Sequence, residues 1–229
     1  MDKLKTGISG LDEMLNGGIP KKRHIAVFGG PGTGKTSLAF EYLYHGAKEE
    51  GQNGLYLTLE ESPEDIIENM KNQFGQFTDV DDMIKKKKLF FETPENFTVE
   101  SILEALEEKI VQNDVERAVI DSSTMLKAMF EKESDYRRTM VEMFNLLKKL
   151  ECTVLVLVEA DTSEKEKITF SIEHYILDGI FNIYNLDKGD RRIRALEIFK
   201  MRGTDHSREL VPFKVTPNGI KVYTGEKVF

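Results

Sequence analysis

The chain is 229 residues long, 40% hydrophobic and 31% charged, with a formal net charge of −8. This is the composition of a folded domain rather than a disordered chain, and the excess of acid excludes a uniformly basic nucleic-acid surface, leaving room only for a local basic groove. The lone cysteine, Cys152, excludes an intramolecular disulfide; no apolar stretch approaches bilayer length and Met1 to Gly7 lacks the apolar run of a signal peptide, so the cytoplasm is the expected compartment.

Strands alternate with helices, the signature of βαβ units and a largely parallel, twisted sheet flanked by helices. His24 to Phe28 reads as a strand, Thr36 to Lys48 as a helix stopped near Gly51, and Gly54 to Leu59 as a second strand running into Glu60 and Glu61. Ser62-Pro63-Glu64-Asp65 starts a helix, with a hydroxyl to cap it, proline in the first turn and acids at the positive end of the dipole. Lys88 to Phe91 follows as a short strand, Val99 to Val111 as an amphipathic helix, and Arg117 to Asp121 as a strand ending on an acid. Tyr136, Met140, Phe144 and Leu147 recur at helical spacing ahead of strand Thr153 to Val158. Beyond it the pattern turns β-rich, a C-terminal extension with Ile180 to Tyr184, Ala195 to Lys200 and a hairpin from Val211 to Tyr223. Neither repeat nor long linker interrupts the chain, so residues 1–229 read as a single domain.

Gly29-Gly30-Pro31-Gly32-Thr33-Gly34-Lys35-Thr36 matches the phosphate-loop pattern and falls between a predicted strand and a predicted helix, as its mechanism requires. The glycines let successive backbone N–H groups turn inward around an anion, and the following helix adds its positive end. Lys35 then reaches the β- and γ-phosphates of ATP, the Thr36 hydroxyl takes a position on Mg²⁺, and Ser37 is counted with the nucleotide-binding residues. Asp121, at the carboxyl end of a core strand, faces the crevice where ligands sit in such sheets and is the second metal-site residue, acting through water. Alone, a strand-terminal aspartate is often just a turn former; the phosphate loop changes its meaning. Glu60 and Glu61 follow the second strand on the same side, where a carboxylate can orient and deprotonate the attacking water. Adjacent residues of an extended chain point opposite ways, so only one of the two easily faces that water; from the residues alone, both can equally be solvated acids before a helix.

Three separated motifs then resemble a family: Thr6-Gly7-Ile8 with Gly10-Leu11-Asp12-Glu13 and Gly17-Gly18-Ile19-Pro20 before the loop, Thr58-Leu59-Glu60-Glu61-Ser62-Pro63-Glu64 after it, and Phe199-Lys200-Met201-Arg202-Gly203-Thr204 late in the chain. Together they are similar to the KaiC-like ATPases of the RecA superfamily over nearly the whole chain. The resemblance implies a RecA-like core, ATP hydrolysis, and a homo-oligomeric ring, usually hexameric, with nucleotide between subunits and signalling to a protein partner. It implies that Glu60 and Glu61 are the catalytic glutamate pair. It also implies that Lys200 and Arg202 form the Lys-x-Arg that reaches the γ-phosphate on a neighbouring subunit, with Thr204 and His206 lining that interface. Two departures stand out. Lys22 occupies a position where the family usually has glycine, so the turn entering the first strand is expected to differ. The family's clock-type autokinase domains carry adjacent Ser-Thr acceptors where this chain, aligned on Asp178, has His174 and Tyr175, so Ser/Thr autophosphorylation is not expected; Tyr175, Thr169 and Ser171 are the remaining hydroxyls.

Two other readings use the same core. A DNA-binding recombinase paralogue or recombination mediator is disfavoured by the acidic balance and by the scarcity of cations between Asp121 and Glu159, where only Lys127, Lys132, Arg137 and Arg138 lie apart from the final lysine pair. A regulator that binds ATP without hydrolysing it needs a geometric defect that no residue type reveals. Lys85 to Lys88 reads as a solvated loop, Cys152 as a small buried side chain, and Phe74, Phe77, Phe90, Phe91 and Phe97 as core rather than base-stacking residues.

Overall fold

The computed structural model describes residues 2–162, 170–187, 189 and 191–228. A two-stranded ribbon pairs β1 (Lys3–Leu4) with β2 (Ile19–Pro20) around the short helix α1 (Leu11–Met14). The alternating part follows as β3 (His24–Gly29), α2 (Lys35–Glu49), β4 (Asn53–Thr58), α3 (Pro63–Gln73), α4 (Val80–Lys85), β5 (Leu89–Glu92), α5 (Val99–Gln112), β6 (Val115–Asp121), α6 (Ser123–Ala128), α7 (Glu133–Lys149) and β7 (Thr153–Glu159). Then come α8 (Ile172–Ile176), β8 (Gly179–Asp187), β9 (Arg192–Met201), β10 (Val211–Thr216) and β11 (Gly219–Val222). Strands β3 to β11 form one sheet of order β11-β10-β9-β8-β3-β7-β6-β4-β5.

The pairs from β8 through β5 are parallel, and β9, β10 and β11 add on antiparallel. The expected β-rich C-terminal part is present, and its first strand is β8, which contains Ile180 to Tyr184 and runs parallel beside β3. The short helix α8 precedes it and supplies the crossover that a parallel partner requires.

Strand period sorts the apolar residues onto two faces. Ile25 and Val27 of β3, Tyr56 of β4, Val119 of β6 and Leu155 and Leu157 of β7 pack under α2, with Ile66, Met70, Phe74, Phe77 and Val80 around them. Ala26, Phe28, Leu55, Leu57, Ala118, Ile120, Val154 and Val156 face α5 and α7. The helical stripe Tyr136, Met140, Phe144 and Leu147 is buried there, beside Cys152. Phe90 and Phe91 are partly buried against opposite faces. Phe97 is corrected: it lies between β5 and α5, outside both cores, and is 60% exposed. The lysine run ends α4 rather than lying wholly in a loop; Lys85 is its last residue and Lys86 pairs with Asp82 at 2.7 Å.

The turn into β3 passes through Lys22. Lys22 adopts φ +61°, the left-handed conformation that favours glycine. Its amide donates to Thr153 Oγ1 at 2.8 Å and its ammonium pairs with Glu151. The turn into β3 thus holds a side chain in the left-handed conformation, at a backbone cost of about 1–2 kcal/mol. Among the described residues no helix is long and apolar enough to cross a membrane.

Candidate nucleotide site

The parallel strands end on one side of the sheet, where one of them opens into the loop and three others deliver polar side chains. Gly29 closes β3, Thr58 closes β4, Asp121 closes β6 and Glu159 closes β7. The loop from Gly30 to Gly34 joins β3 to α2, a helix of 15 residues whose positive end meets the loop. Gly32 and Gly34 hold φ values of +71° and +106°, which glycine adopts without strain. A Cβ on Gly29 would lie 2.6 Å from Thr33 Oγ1, so the strand end accepts no side chain.

The loop is tied on three sides. Thr33 donates its hydroxyl to the Gly30 carbonyl at 2.8 Å. The Gly30 amide donates to Thr162 Oγ1 at 3.2 Å, and that hydroxyl donates to the Ile183 carbonyl at 2.7 Å. Arg194, from β9, donates to the Gly32 carbonyl at 3.1 Å. Pro31 is exposed, and Ser37 is buried with its hydroxyl 3.5 Å from Gln73 Oε1, so its side chain faces α3. Gly32, Gly34, Lys35, Thr36 and Ser37 border a cavity of about 280 Å³ that extends to Gln73, Arg194 and Val215. Gly30, Pro31 and Thr33 border another of about 570 Å³, with Thr124, Glu159 and Arg192.

Lys35 donates to the carbonyls of Gly29 and Gly30 at 2.9 and 3.2 Å. Burial lowers its pKa, and the carboxylates of Glu159, Asp121 and Glu60 act the other way. Asp121 shows the converse: burial pushes its pKa up to about 6, opposed by a hydrogen bond from Tyr56 and reinforced by the charge of Glu60. The Tyr56 hydroxyl donates to Asp121 Oδ2 at 2.5 Å, and Thr36 lies near enough to act on the phenol electrostatically. Thr36 and Asp121 thus converge, from α2 and β6, on one phenol.

The glutamate pair leaves β4 through a tight turn in which Thr58 donates its hydroxyl to the Glu61 carbonyl at 2.7 Å. Glu60 accepts from Ser122 Oγ at 2.6 Å, which aims its carboxylate at the end of β6. The Asp121–Ser122 peptide there is cis. Both glutamates act electrostatically on Asp121. The donor set is hard oxygen, from a hydroxyl and carboxylates, next to a loop built for phosphate, and it suits a nucleotide with Mg²⁺.

The structure brings the loop, Lys35, Thr36, Asp121, Glu60 and Glu61 together. It does not bring Lys200, Arg202, Thr204 or His206 to them. Lys200 pairs with Ile180, which pairs with Ala26. That is about 10 Å along the strands from Gly29 and two strand spacings across. Lys200 donates to the carbonyls of His174 and Leu177 at 2.9 and 2.7 Å, and Arg202 to that of Tyr175 at 3.0 Å. Thr204 and His206 sit in the loop after β9, where Ser207 donates its amide to the Met14 carbonyl at 2.7 Å and His206 Nδ1 lies 2.8 Å from the Ser207 carbonyl. Of the hydroxyls named above, Tyr175 is exposed, Ser171 caps α8, and Thr169 lies outside the described residues.

Sequence reading missed Tyr56, Ser122, Thr162, Arg194 and Glu159. Only Glu159 carried a signal, being an acid at the end of an apolar strand, as Asp121 is.

Sheet, loop and strand-end acids define a RecA-like α/β protein of the phosphate-loop class. Residues 4–227 match the family described as "ATPase: KaiC", and the chain belongs to that family. It is 34% identical over 233 residues to the circadian clock oscillator protein KaiC of Picosynechococcus sp., covering 97% of this chain and 45% of that protein. It is 33% identical over 241 residues to a UPF0273 protein of Thermotoga maritima, covering 98% of this chain and 97% of that one. The crystal structure of a KaiC-like protein from the hyperthermophilic archaea Pyrococcus horikoshii OT3 superposes with a TM-score of 0.87 at 32% identity, covering 97% and 99% of the two chains. The chain spans about half the length of the curated KaiC proteins it matches, 45% and 44% of the first two.

Proposed function

We propose that residues 1–229 form one ATPase domain that binds ATP with Mg²⁺ in the loop Gly29 to Thr36, hydrolyses it, and assembles into a ring with nucleotide at the subunit boundary, signalling its nucleotide state to a protein partner. The observation that carries this reading is the convergence of Lys35, Thr36, Asp121 and Glu60 at the ends of β3, β4 and β6. In it, the loop amides and Lys35 hold the phosphates, and Thr36 and Asp121 would hold Mg²⁺, which supplies positive charge against the phosphate oxygens. Glu60, fixed by Ser122, takes the proton of the attacking water. Lys200 and Arg202 serve the loop of a neighbouring subunit, since their own loop is out of reach. Two relatives matched along nearly their whole length support a working unit of this size.

Solution mass tests the assembly. With ATP and Mg²⁺ the mass is expected to rise to a multiple of the 26.2 kDa chain, usually six in this family, together with phosphate release. A monomer that turns ATP over at a rate independent of its concentration sinks the trans arrangement.

A pH series tests Asp121 as a metal residue. Metal binding needs the ionised carboxylate, and the pKa of about 6 is raised, so protons compete below that value. The Mg²⁺ affinity seen through nucleotide binding is expected to be flat above about pH 6 and to fall up to about tenfold per unit below it. A flat profile down to about pH 5 contradicts the assignment.

A further inference from the structure

Tyr56 is fully buried at 0% exposure, and its side chain faces the core beneath α2. In the sheet it lies opposite Val119, so Asp121 is two residues further along the neighbouring strand and on the same face. The aromatic ring spans that offset. It stacks on Phe91 at 5.7 Å and carries its hydroxyl to Asp121 Oδ2 at 2.5 Å, with Thr36 near enough to act on it electrostatically. Phenylalanine would fill nearly the same volume. The hydroxyl is what a core position does not need, and its partner Asp121 is a residue assigned above to Mg²⁺.

We infer that Tyr56 is a positioning residue: its phenol fixes the direction of the Asp121 carboxylate, and so sets the affinity of the site for the divalent cation. The inference rests on the nucleotide and Mg²⁺ reading above. A carboxylate that accepts a hydrogen bond on one oxygen keeps the other in a fixed direction, and outer partners of this kind tune metal affinity without touching the ion.

The test uses the full chain, wild type and Tyr56→Phe, with a fluorescent ATP analogue titrated first in chelator and then with Mg²⁺. The expected result is a rise on the order of tenfold in the Mg²⁺ concentration giving half its effect, with metal-free nucleotide affinity within about twofold of wild type. Thermal melting in chelator separates this from loss of packing: a lowered Tm with an unmoved Mg²⁺ midpoint overturns the inference. Asp121→Asn supplies a second check. Because the phenol acts through Asp121, the double variant is expected to match Asp121→Asn alone, and additive shifts overturn it. A wild type whose nucleotide binding ignores Mg²⁺ overturns the metal reading and this inference with it. A wild type that responds beside a Tyr56→Phe variant that responds identically overturns only the inference.

Discussion

Replacing Glu60 by glutamine is expected to lower ATP turnover by a factor on the order of 10²–10⁴, the usual worth of a general base, while ATP affinity stays near wild type. The amide keeps the size of the carboxylate and one oxygen for the Ser122 hydroxyl, which donates at 2.6 Å, so the turn after β4 is preserved. What it loses is the ability to take a proton. Two further effects follow from charge. Glu60 raises the pKa of Asp121 and acts on Lys35, so the variant removes one repelling charge from a crowded acidic site and is not expected to weaken nucleotide binding. Phosphate release measured beside equilibrium binding checks both halves. Unchanged turnover in Glu60→Gln, with a collapse in Glu61→Gln, would move the base one residue along.

Arg202→Ala is expected to lower turnover by a factor on the order of 10³–10⁵, the range seen when a transition-state arginine is removed. The informative experiment is complementation. Lys35→Ala disables a subunit's own loop and leaves its Lys200 and Arg202 intact; Arg202→Ala does the reverse. Each alone is expected to be inactive. Mixed in equal amounts and allowed to exchange, they are expected to recover roughly a quarter of wild-type turnover, the chance that an intact loop meets an intact neighbour in a symmetric assembly. No recovery on mixing, with exchange verified by mass, would falsify the action of Arg202 across a subunit boundary.

Much of the alternating half was legible because each element announces itself locally. The loop has a fixed spacing, Ser62-Pro63 caps a helix whose side-chain cap to Asp65 is present at 3.1 Å, and Tyr136 to Leu147 repeat on one helical face. The direction of β8 was not legible, since Ile180 to Tyr184 reads the same whether its partner runs with it or against it. Tyr56 escaped for a related reason. Its period-2 position announces a core residue, and only the pairing of Thr58 with Asp121 reveals what its hydroxyl meets. The backbone at Lys22 was not legible either, since the chain holds φ +61° there without glycine. Lys200 and Arg202 stood on resemblance alone; the fold adds that they cannot serve the loop of their own chain.

The two cations of that pair are held with unequal grip. Arg202 is half exposed, its guanidinium 3.9 Å from Asp178, a carboxylate already engaged by Arg23 at 3.2 Å. Releasing that exposed ion pair costs at most about 1 kcal/mol, and the exposed hydrogen bond to the Tyr175 carbonyl is one that water replaces. Lys200 closes the end of α8, and drawing it away strips two carbonyls of their donor, at about 1–3 kcal/mol for each that finds no water. Of the two, the arginine is therefore the cheaper to draw away from its own chain, and the lysine the one whose release unties the end of β9 from α8.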